Sequence, residues 1–135
     1  MNAAASLTLT IITATALSLL GGFVTDHTIG YNLPGWVFDT LGFDLGNLVV
    51  ELVNYVLPWF LLALVVTIPL VVFTSEFVFW GSLVIVAFLI TIDALTTRSL
   101  SLQSDSYWHI APTILAWASV IPAASINNWW ISKVR

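Results

Sequence analysis

The chain has 135 residues, 59% hydrophobic and 7% charged, with three Lys/Arg, seven Asp/Glu and a net charge of −4. A soluble domain carries roughly a quarter charged residues, so this composition excludes a water-soluble globule, and its apolar content excludes a disordered chain. Three basic residues cannot neutralise a run of phosphates, which excludes a nucleic-acid partner, and the lack of cysteine excludes disulfides, thiolate metal centres and cysteine nucleophiles.

Mean hydropathy is +1.02, and the apolar residues fall into long runs. A hydrocarbon core about 30 Å thick needs roughly 20 apolar residues in a helix. Four stretches meet that length: 3–24, 48–73, 77–97 and 107–126. Backbone groups in lipid must bond within their own segment or in a closed barrel. Continuous runs without two-residue alternation select helices. The expected fold is all-α, a single transmembrane domain of four helices in a small bundle.

The first stretch carries no charge. It lacks the basic start of a signal peptide and is longer than a signal's apolar core, so it reads as a retained helix. Along it Ser6, Thr10, Ala14, Ser18 and Gly22 recur every four residues. Small residues at that spacing let two helix backbones approach closely. This face docks either on the chain's own helices or on a partner subunit or second copy.

A 23-residue segment, Thr25 to Asn47, follows. Pro34-Gly35 marks a turn, and Trp36, Val37, Phe38 and Leu41 beside Asp39 suit a short interfacial helix over 35–41. A loop folded against the bundle by its aromatics is the other reading. The second helix holds Glu51 near its start and prolines at 58 and 69. Only Thr74, Ser75 and Glu76 separate it from the third helix. So short a link forces an antiparallel hairpin, with Thr74 or Ser75 as the cap of the next helix. The third helix ends near Asp93, and a polar link, Arg98 to Ser106, leads to the fourth, which holds His109, Pro112 and Pro122. A tail from Asn127 carries Trp129, Trp130, Lys133 and Arg135. Trp36, Trp80, Trp108, Trp129 and Trp130 lie near segment ends, where indole rings favour the headgroup region. Trp59 and Trp117 fall deeper and are expected between helices.

Four antiparallel helices put both termini on one side. Lys133 and Arg135 follow the last helix, and the first loop has no Lys or Arg. The positive-inside rule then places both termini in the cytoplasm of a multi-pass cell-membrane protein, with Arg98 dissenting. The same topology gathers Asp26, His27, Asp39, Asp44, Glu51, Asp93, Asp105 and His109 at the other face.

Ionisable groups at membrane depth usually face protein or a wet cavity. Asp93 suits pairing with Arg98 or Thr97. Asp26, His27, Asp93 and His109 are ligand types for zinc, copper or iron, although no pair has a diagnostic spacing. Glu51 and Asp93 suit an ion or proton pathway. No phosphate loop, nucleophile elbow or HExxH motif occurs, so no cofactor is expected and catalysis is left open, leaning against. The leading function is a non-catalytic accessory or structural subunit of a larger membrane complex, with lipid and other membrane subunits or a second copy as partners. A small homo-oligomeric transporter or channel using Glu51 and Asp93 is the alternative, and a metal-dependent membrane enzyme the third.

Overall fold

A computed structural model describes residues 3–28, 33–96 and 107–134. Every described element is a helix: α1 (Ala3–Thr28), α2 (Gly35–Glu51), a π turn (Leu52–Val56), α3 (Leu57–Val66), α4 (Ile68–Phe73), a 3-10 turn (Ser75–Phe77), α5 (Val78–Thr96), α6 (Tyr107–Ala118) and α7 (Val120–Val134). Three helical stretches are long and apolar enough to cross a membrane: Ala3–Thr28, Gly35–Phe73 and Val78–Leu95. The all-helical membrane architecture expected from hydropathy is therefore present.

Boundaries differ from the sequence reading in three places. The segment 25–47 is mostly helix, since α1 runs to Thr28 and α2 begins at Gly35. Within α2, Gly42 adopts φ 77° and ψ 170°, a break that only glycine takes without strain. It separates the short segment 35–41 from the helix that continues into the membrane. Phe38 folds back over Gly46, where an added Cβ would sit 2.5 Å from the Phe38 ring. The fourth apolar stretch is two helices, neither of them by itself long enough to cross. They join at Ser119, whose N–H reaches the carbonyls of Leu115 and Ala116. Pro122 has no N–H to give the Ala118 carbonyl, and this is the physical reason for the interruption. Beyond it the expected tail stays helical to Val134. At the 74–76 link, Thr74 serves the preceding helix: its hydroxyl and N–H both donate to the Leu70 carbonyl, and it makes no side-chain cap to the next.

The helices close a ring, with α1 packed on α3 and α5, and α7 packed on the same two. Ala14, Leu17, Ala63, Leu70, Ile85, Ala116 and Val120 fill its centre with almost no exposed surface. Trp59 and Trp117 are buried, whereas Trp36, Trp80, Trp129 and Trp130 are exposed. Leu19, Val65 and Leu95 are 72%, 66% and 78% exposed, the outward apolar surface that lipid solvates. Hydroxyls close on their own helices: Thr10, Thr13, Thr67 and Ser82 each donate to the carbonyl four residues back.

The buried face of α1 comprises Ser6, Thr10, Thr13, Ala14, Leu17 and Gly21. It begins on the four-residue stripe and then leaves it, placing Ser18 half-buried and Gly22 exposed. A helix turns once per 3.6 residues, so a strict four-residue stripe drifts around it while a straight contact alternates steps of three and four. Gly21 is the point of closest approach. A Cβ there would lie 2.2 Å from Trp59 Cζ2, whereas one on Gly22 meets open space.

Two polar side chains from neighbouring helices bond to the kinked second span. Pro58 cannot donate to the Asn54 carbonyl, and the Thr28 hydroxyl at the end of α1 shares its one proton between that oxygen, at 2.8 Å, and the Val24 carbonyl of its own helix, at 3.0 Å. Near Pro69 the Asn127 amide of α7 donates to the Leu64 carbonyl at 2.6 Å and to Thr67 Oγ1 at 3.0 Å.

Two outcomes are expected in denaturant or thermal unfolding of the purified protein. Gly21→Ala forces the Trp59 ring to move and costs about 1–3 kcal/mol, while Gly22→Ala is neutral or stabilising by up to about 1 kcal/mol. Thr28→Val removes the donor to the Asn54 carbonyl and costs about 1–2 kcal/mol; an unchanged midpoint would mean that this bond does not hold α1 to the π turn.

Candidate functional site

The C-terminal end of α1, the π turn, the C-terminal end of α5 and the helix α6 meet at one end of the bundle, where they enclose an open cavity of about 250 Å³. Each wall has a local cause. The extra residue per turn at Leu52–Val56, stabilised where Pro58 withholds its N–H, sets Tyr55 facing the cavity. Trp59 follows one turn later, and its Nε1 donates to Thr25 Oγ1 at 3.2 Å. Thr25 and Asp26 come from the last turn of α1, Asp93 from the last turn of α5, and Trp117 from α6. The Tyr55 hydroxyl hydrogen-bonds with the Thr25 and Thr113 side chains and lies within electrostatic range of the Asp93 and Glu51 carboxylates.

Of the carboxylate and histidine candidates, the structure brings Asp26 and Asp93 to one cavity. His27 is turned elsewhere: its Nδ1 meets the Phe23 carbonyl at 2.8 Å, and its ring stacks on Phe23 with centroids 4.1 Å apart. The backbone of His109 belongs to α6, but its side chain lies outside the described residues, as do Thr97, Arg98 and Asp105. No three His, Asp or Glu side chains converge as metal ligands among the described residues. Glu51, half-buried at the end of α2, is not among the described residues that line the cavity. Asp39 and Asp44 are exposed.

On the packing face, Ser6, Thr10 and Ala14 are buried between helices, while Ser18 and Gly22 line the cavity. Thr10 faces α5, where a Cβ on Gly81 would stand 3.4 Å from its Oγ1. The Ser6 hydroxyl is buried without a hydrogen-bond partner among the described residues. Trp59 and Trp117, expected between helices, also line the cavity, and Tyr55 and Thr25 join it with no role read for them from the sequence. The available signal was the position of Pro58, three residues beyond Tyr55, at a depth where a freed carbonyl needs a donor.

Neither a protein-family model nor a curated protein nor a solved structure matches the chain. Function must therefore be argued from the site itself.

Tyr55→Phe keeps the ring and removes the hydroxyl shared with Thr25 and Thr113. It should lower stability by about 1 kcal/mol, read as a shift of the unfolding midpoint. Ser6→Ala should do the reverse, by up to about 1 kcal/mol, because it deletes a buried hydroxyl with no partner.

Proposed function

We propose that the protein is a non-catalytic accessory or structural subunit of a larger membrane complex. It lies in the cell membrane with four crossings, the fourth formed by α6 and α7 together, and with both termini in the cytoplasm. The observation that carries this reading is the closed apolar packing beneath the cavity. Leu17, Ala63, Leu70 and Ile85 are fully buried along the bundle, and a polar solute crossing a bilayer needs a polar or water-filled route. Asp26, Asp93 and Tyr55 line a cavity at one end, which a single chain offers as a recess above that packing. Lys133 and the exposed Trp129 and Trp130 at the end of α7 support the orientation. The ammonium of Lys133 stands 3.8 Å from the Trp129 ring centroid, an arrangement suited to the headgroup layer.

A second reading is a small homo-oligomeric transporter or channel with Glu51 and Asp93 on its pathway. It is favoured by the cavity, which joins Asp93 to Tyr55 within reach of the Glu51 field.

Native mass measurement after extraction in a mild detergent separates the two. The subunit reading expects the 14.8 kDa chain in a particle with at least one different polypeptide. A particle whose protein mass is a whole multiple of 14.8 kDa would overturn it in favour of the homo-oligomer. A lone chain would overturn both.

A further inference from the structure

We draw no further inference here: the strongest candidate, the exposed face of α1 along Ala4, Thr8, Thr15 and Gly22, where a neighbouring helix could approach closely, is a row of small residues, and nothing in the structure shows what covers it.

Discussion

The arrangement rests on the backbone hydrogen-bond requirement in hydrocarbon, applied at one carbonyl. Asn54 lies four residues before Pro58, so its oxygen has lost the donor that a regular helix supplies, and lipid offers no replacement. The Thr28 hydroxyl provides one at 2.8 Å. That bond fixes the end of α1 beside the π turn, which brings Thr25 to the indole N–H of Trp59 and turns Tyr55 toward Asp93. The cavity is thus a geometric result of meeting a backbone need between two helices.

Packing completes what the hydrogen bond begins. Helices in lipid gain little from hydrophobic exclusion of one another and depend on close van der Waals fit. Gly21 lets the Trp59 ring lie against the α1 backbone, and Ala63, Ala116 and Ala123 keep the interior narrow with no exposed surface. The bundle is tight where side chains are small and opens where the π turn and the helix ends diverge. The cavity carboxylates are accordingly at one end, and the hydroxyls buried below it, Thr10, Thr13, Thr67 and Ser82, are each closed on their own helix.

Hydropathy made the apolar stretches legible, while Pro34-Gly35 with its aromatics left the segment 35–41 open between a helix and a folded loop, and the structure makes it a helix. The depth assigned to Trp59 and Trp117 from their positions agrees with their burial. Other features were hidden for physical reasons. Gly42 sits in the run Leu41-Gly42-Phe43 with nothing local to mark a left-handed break, and the contact across it, Phe38 on Gly46, joins residues eight apart. The α1 stripe counts every fourth residue, whereas the buried face of the helix follows the 3.6-residue turn. Asp26 and His27 are grouped by ligand type and by membrane face, which carries no information about side-chain direction. On a helix they diverge by about 100°, and His27 bonds to its own helix while Asp26 lines the cavity. The partner of the Asn54 carbonyl lies 26 residues away, beyond any local pattern.

The Asn127 bridge bears on how the chain is made. Its amide reaches the Leu64 carbonyl and the Thr67 hydroxyl at the interruption in the second span. Asn127 is made 63 residues after Leu64 and 60 after Thr67. Until then the second span holds its break beside Pro69 without that side-chain support. The side-chain closure of that interruption therefore waits on α7, and Asn127 acts as a latch between two elements far apart in sequence.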